Sequence, residues 1–401
     1  MQRTNTQANT GKDRIESIDF LRGLVMILMA LDHVRMYLGY GTWYAEPTNL
    51  ATTTPLLFFT RWITHFCAPV FVFLAGTSAF LYGTRQANVK QTAWYLFTRG
   101  VWLILVEVVI INFAWTFDVT YSFLILQVIW AIGISMLTLS ALVFLPKRLI
   151  LAIGLILVFG HNLLDSITAQ GSSAQDLIWY ALHQPNAVFI DSTRVINFVY
   201  PVLPWIGLMT LGYVLGALYK NDFPVEQRKR WLLTIGICAT LVFIALRELN
   251  LYGEPRHWQT QDSPVFSLIS FLNTTKYPPS LHFLLMTMGP ALIFLAVVES
   301  VGPRLAGPTI VFGRVPFFFY IVHLYVIHAL AVLMLVYQGR DWSEYILSAR
   351  GIASGTLSNF GLRLEAVYVV WLLVILLLYP LCRWYQKYRE NNPSKWWLSY
   401  L

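Results

Sequence analysis

Ten apolar runs, each near the length that crosses a bilayer as a helix, divide this 401-residue chain. They lie near 18–38, 56–82, 96–116, 121–144, 149–168, 197–218, 231–247, 281–300, 309–336 and 363–384, against a requirement of about 20 mostly apolar residues per span. Charged residues make up only 12% of the chain, where an ordinary soluble domain carries about 25%. With mean hydropathy at +0.59, most of the surface must face something other than water. The expected fold is an all-α polytopic membrane protein with about ten transmembrane helices.

The segments between runs alternate in charge. One set holds Arg85 and Lys90, Lys147 and Arg148, Lys220 and Arg228–Arg230, Arg304, and the tail residues Arg383, Lys387, Arg389 and Lys395. The other holds Asp176, Asp191, Glu254, Asp262, Asp341 and Glu344. Basic residues mark the cytoplasmic side, which places both the N- and C-termini in the cytoplasm. The same pattern accounts for the net charge of +8 and removes the case for a nucleic-acid partner. The first run carries Asp19, Arg22, Asp32 and His33, unlike the short uncharged core of a cleavable signal. Expected domains are a disordered cytoplasmic tail over 1–13, one transmembrane domain over 14–390 and a cytoplasmic tail over 391–401.

Cys67, Cys238 and Cys382 fall inside apolar runs and read as buried small side chains. His, Asp and Glu are too scattered for a zinc signature, so no metal is expected. No small-residue seam stands out, and no pair of interrupted spans, which weighs against a transporter or flippase, the competing class. Trp43, Tyr44, Trp179, Tyr180, His183, Trp258 and Tyr277 dot the outer segments 39–55, 169–196, 248–280 and 337–362. Interfacial anchoring explains most of them, although such loops can also cover a cleft and stack on sugar rings.

Ionisable groups at membrane depth are costly and mark function or a partner. Arg22 and His33 are eleven residues apart, hence about 20° apart around a helix and about 16 Å apart along it. Asp19 falls on the same side. One face therefore carries Asp19 and Arg22 at its inner end and His33, able to exchange protons near neutral pH, at its outer end. An Asp19–Arg22 salt bridge with His33 as an end cap is the structural alternative. Asp32 points about 100° away from His33.

Arg61 and His65 are four apart in the second run and share a face. His65 reads equally as a pocket residue or as a core histidine. Glu107 requires a partner or a proton, and Arg99, eight residues earlier, is one candidate. Arg314, Tyr320, His323 and His328 step along the ninth run, either lining a path or stitching helices together.

The pattern Arg14-x-x-Ser17-x-Asp19-x-x-Arg22-Gly23 with His33 beyond it resembles the start of the heparan-α-glucosaminide N-acetyltransferase family and of the wider transmembrane acyltransferases. Arg61–Gly76, Lys276–Leu281 and Gly313-Arg314-Val-Pro through His323 look similar too, so the resemblance spans nearly the whole chain. It implies transfer of an acetyl or other acyl group from cytoplasmic acetyl-CoA to an extracytoplasmic sugar or other hydroxyl or amine acceptor. His33 and His65 would then be catalytic. Asp19, Arg22, Arg99 and Arg314 would bind the donor, and Arg61, Lys276, Tyr320 and His323 the acceptor. The short loops look like the bacterial branch, implying a multi-pass protein of the bacterial plasma (inner) membrane. In the lysosomal enzyme the catalytic His lies in the loop after the first span, with Asn where His33 stands here. Segment 39–55 has no His, so His33 would take that role, as in the wider group.

Overall fold

The computed structural model describes residues 15–301, 307–349, 351 and 354–399. The expected tail 1–13, Arg14 and Arg304 lie outside the described residues. The chain is predominantly helical. Seven helices are long and apolar enough to cross a membrane: Pro55–Gly83, Val89–Thr116, Lys147–Leu164, Val225–Glu248, Leu281–Glu299, Pro316–Tyr337 and Leu364–Asn391. Three further helices occupy the remaining runs: α1 (Glu16–Leu38), Val128–Leu142 and Leu203–Tyr219.

Pro55–Gly83 is two helices in line, α2 (Pro55–Ile63) and α3 (Cys67–Gly83), joined by a 3₁₀ turn over Thr64–Phe66. Pro69 lacks the N–H that would bond the His65 carbonyl, so the ladder tightens there. Val89–Thr116 is α4 (Val89–Val106) and α5 (Asn112–Thr116) around one π turn at Glu107–Ile111. The ninth run is not one helix. α13 (Gly307–Arg314) ends at Val315, where φ is −130° and ψ 48°, and α14 (Pro316–Tyr337) starts afresh. A residue before proline is pushed out of the helical region, which the hydropathy of the run conceals.

Two of the expected apolar runs begin as strands, so the chain is predominantly rather than wholly helical. β1 (Phe123–Leu126) precedes α6 (Val128–Leu142), and β3 (Val195–Phe198) comes before α9 (Leu203–Leu215). β1 and β3 pair in parallel, and β2 (Asn186–Phe189) adds antiparallel to β3. α6, with 15 residues, is about 22 Å long, short of the roughly 30 Å hydrocarbon core. Four strand residues add about 13 Å. Non-helical backbone at such depth must be satisfied by protein. Here the ladder does this, with Asn112 Oδ1 accepting from the Ile125 amide at 2.9 Å and Glu107 Oε1 from the Gln127 amide at 3.1 Å. Glu107 thus caps the start of α6, two turns beyond the Arg99 that the sequence offered as its partner. The chain does hold two apolar runs in each of which a strand leads into a shorter helix. Short apolar runs look alike as strand and helix, so hydropathy missed the strands.

α7 (Lys147–Gly160) packs on α9, α9 on α3, and α4 on α6. α10 (Val225–Glu248) packs on α12 (Leu281–Val301), and two short helices, α8 (Ala174–Leu182) and α11 (Pro264–Leu272), lie in the connecting segments. Buried shares of 72% for α12 against 22% for α10 and 17% for the last helix, Leu364–Asn391, separate centre from periphery. Cys238 is exposed on α10, contrary to expectation, while Cys67 and Cys382 are buried. Trp43 stacks edge-on to Tyr37 at 5.7 Å and Trp258 to Phe271 at 5.4 Å. Both rings are half-buried and pack on the protein.

α1 sits centrally and touches α13 backbone to backbone. A Cβ on Gly313 would meet the Asp19 carbonyl oxygen at 1.7 Å, and one on Gly23 the Thr309 carbonyl oxygen at 2.0 Å. A small-residue seam therefore exists, but between helices far apart in sequence. Gly313→Ala should cost about 1–3 kcal/mol by overpacking. A melting temperature in detergent within a degree of wild type would contradict this contact.

Candidate active site

The Gly23–Gly313 contact brings three charged side chains together. Arg22 Nη1 lies 3.3 Å from Asp19 Oδ1, and Arg314 Nε lies 3.7 Å from Asp19 Oδ2. Arg22 also donates to Ser78 Oγ at 3.0 Å and to the Gly313 carbonyl at 3.4 Å. Arg389 donates to the Arg314 carbonyl at 2.6 Å, tying the last helix to this corner.

These groups form the mouth of a cavity of about 590 Å³. Its charged lining is five arginines, Arg22, Arg85, Arg99, Arg314 and Arg389, against one acid, Asp19. Beyond the mouth the walls turn apolar, with Met26 and Met29 of α1, Leu103 of α4, Ile129 of α6, and Phe317 and Tyr320 of α14. A strongly basic opening over an apolar shaft suits a ligand with an anionic head and a slender, weakly polar arm. The four residues expected to bind the donor all line this one space. Arg85 and Arg389 were missed, since nothing in sequence ties a loop arginine or a tail arginine to α1.

His33 lies one turn past Met29, beyond the cavity lining. Its ring is 6.3 Å from that of Tyr320, which closes the shaft, and 5.0 Å from that of Trp115. His33 Nδ1 is 2.6 Å from His323 Nε2, with the rings stacked at 4.9 Å. His323 Nδ1 is 2.9 Å from the Phe319 carbonyl. A carbonyl only accepts, so the proton is on His323 Nδ1 and, in the neutral ring, Nε2 carries a lone pair. His33 then donates from Nδ1, and its Nε2 is left as a base. The hydrogen-bond network fixes this tautomer. Neither the Tyr320 hydroxyl nor the Trp115 indole N–H makes a hydrogen bond of ordinary geometry among the described residues. His328 faces the carbonyls of Ala114 at 2.8 Å and Tyr345 at 3.1 Å, and so stitches elements together.

Asp32 turns away from His33, as the helix angle requires. It binds Arg35 at 2.9 Å and makes a short ion pair with Arg61. His65 is buried against Phe283, ring to ring at 5.3 Å, and does not line the cavity. Lys276 lies over the Tyr277 ring at 5.2 Å. Among the described residues no group of three His, Cys, Asp or Glu side chains could hold a metal ion.

Against known families, residues 14–253 match the model described as heparan-alpha-glucosaminide N-acetyltransferase, catalytic, more than half of the 401 residues. The chain belongs to that family. Membership makes it a membrane acetyltransferase, and acetyltransferases of the heparan-alpha-glucosaminide type use acetyl-CoA as donor. No curated protein matches it. The match takes in α1, the π turn and both strand-led units, β1–α6 and β3–α9, but ends before α13 and α14. His323 and Arg314 therefore join the site on geometry alone.

Asp32→Asn would leave the Arg35 and Arg61 guanidiniums buried without their counter-ion. Breaking a buried pair from one side costs about 3–5 kcal/mol. Thermal unfolding in detergent checks this, and an unchanged melting temperature would show that the ion pairs are not formed.

Proposed function

We propose that this membrane acetyltransferase moves an acetyl group from acetyl-CoA in the cytoplasm to a hydroxyl or amine acceptor on the far side of a bacterial plasma membrane. α1, the seven long apolar helices, and the β1–α6 and β3–α9 units would make ten spans. Both termini would then be cytoplasmic, with one transmembrane domain over 14–390. Basic loop residues at the arginine end support that orientation. The observation that carries the reading is an arginine-lined cavity whose apolar shaft ends one turn below an imidazole with a free basic nitrogen.

Guanidinium forks suit phosphates, so Arg22, Arg99 and Arg314, with Arg85 and Arg389, would hold the nucleotide end of the donor. Asp19 would keep Arg22 and Arg314 aligned. The pantetheine arm would follow Met26 and Met29 and bring the thioester to Tyr320. His33 Nε2 would take the proton from the acceptor as its oxygen or nitrogen attacks the thioester carbon. When the tetrahedral intermediate collapses, the C–S bond breaks and the departing thiolate takes that proton from the His33 imidazolium. The Tyr320 hydroxyl and the Trp115 indole N–H, both beside the His33 ring, would donate to the oxyanion. His323 would hold the tautomer of His33. Arg61 and Lys276 would face an acceptor arriving from outside, with His65 behind them.

His33→Ala should lower kcat by about 10²–10⁴-fold, read as thiol released from acetyl-CoA, while the rise in melting temperature on adding CoA persists. Arg22→Ala combined with Arg314→Ala should remove that rise. Wild-type turnover in His33→Ala would take His33 out of the mechanism. A full CoA shift in the double variant would do the same for the arginine mouth.

A further inference from the structure

A helix ends on four carbonyls that have no partner inside it. α5 ends beside His33, and each of its last four carbonyls meets a donor. The Phe113 carbonyl accepts from the Phe117 amide at 2.8 Å, and the Thr116 carbonyl from the Leu347 amide at 2.9 Å. The Trp115 carbonyl accepts from Tyr37 Oη at 2.8 Å. His328 Nδ1 lies 2.8 Å from the Ala114 carbonyl. Tyr37 follows His33 by four residues on α1, and His328 follows His323 by five on α14. The two helices that carry the imidazole pair therefore also grip the end of α5, about one turn further out.

Tyr37 is itself fixed. It is fully buried, its ring stacks on the Trp115 ring at 5.4 Å and lies against His328 at 4.9 Å, and its carbonyl accepts from Tyr345 Oη. Trp43 Nε1 donates to that same Tyr345 hydroxyl at 3.3 Å. Phe117, just past α5, has φ 49° and ψ 19°, the left-handed conformation, and stacks on His328 at 3.7 Å. A bulky residue keeps that conformation only where its surroundings over-determine it. Trp115 carries the consequence. It is 2% exposed, its ring stands edge-on to His33 at 5.0 Å, and its indole N–H has no hydrogen-bond partner among the described residues. Leaving a buried donor unpaired is costly, and a donor held so beside a general base suits charge that develops only during the reaction.

We propose that Tyr37 is a positioning residue for acetyl transfer: its hydroxyl holds the end of α5 so that the Trp115 N–H meets the oxyanion beside His33. The inference rests on the acetyl-transfer reading. Without the hydroxyl the last turn of α5 loosens, and the indole N–H drifts from the place where negative charge develops. Neither Tyr37 nor Trp115 lines the arginine-mouthed cavity, so donor binding is outside their reach.

Thiol release from acetyl-CoA is followed with the full-length protein in detergent and D-glucosamine as the acceptor probe. Tyr37→Phe keeps the stacked ring and removes only the hydroxyl. It should lower kcat about tenfold. Its KM for acetyl-CoA should stay within about twofold of wild type, and the CoA rise in melting temperature should persist. Trp115→Phe should lower kcat about 10²-fold. The double variant should match Trp115→Phe within about twofold, because the hydroxyl acts only through the indole. His328→Ala, which frees the Ala114 carbonyl, should act in the same direction as Tyr37→Phe and decides the matter should that variant fail to fold. Amide hydrogen exchange across residues 112–122 should quicken in Tyr37→Phe. Wild-type kcat in Tyr37→Phe, a loss carried by KM, a further loss in the double variant, or unchanged exchange would each overturn the inference. Thiol release absent from the wild type would count against the acetyl-transfer reading instead, and the exchange measurement would then decide whether the hold on α5 exists.

Discussion

Four ionisable side chains of α1, Asp19, Asp32, His33 and Arg35, are buried inside an apolar bundle, and that burial organises the rest. A buried charge must be paired. Asp19 therefore requires a cation from α13, and Asp32 requires one from α2. His33 takes its hydrogen bond from His323 on α14. Each demand fixes the position of another element against α1. The apolar contacts around them would tolerate some sliding, but these pairs would not.

The same demands explain the two interruptions that shape the cavity. Val315 breaks what would be one long helix, so α13 can press on α1 through glycine while α14 diverges to bring Tyr320 and His323 over the shaft. The strand start of α6 lets Glu107 cap that helix and places Ile129 and Ile132 in the cavity wall. Irregular backbone at membrane depth is costly, and here it coincides with the walls of the cavity.

Much of this was legible from residues alone. The eleven-residue spacing of Arg22 and His33 put both on one face, and the angle of Asp32 correctly kept it off the imidazole. Arg99 and Arg314 were set beside Arg22 only by what the family resemblance implied, and all three line the one cavity. What could not be read were properties of pairing between distant segments. Leu126 and Phe198 look like span residues until they are seen as ladder partners. Gly23 and Gly313 form a seam only when brought face to face. The Asp165–His183 pair joins the end of the fifth apolar run to the segment that follows it, and no feature of the sequence signals that pairing. Trp115, at the end of α5, likewise gains meaning only from the His33 ring beside it.

The central claim is that one shaft runs from the arginine mouth to the foot of His33 and takes the arm of coenzyme A. Met29 is at its deep end. In a chain whose exposed Cys238 is replaced by Ser, Met29→Cys can be challenged with a membrane-impermeant thiol reagent from either face of sealed, oriented vesicles. The account predicts labelling from the cytoplasmic face alone, suppressed by CoA. Labelling from the outer face, no labelling at all, or labelling indifferent to CoA would contradict it.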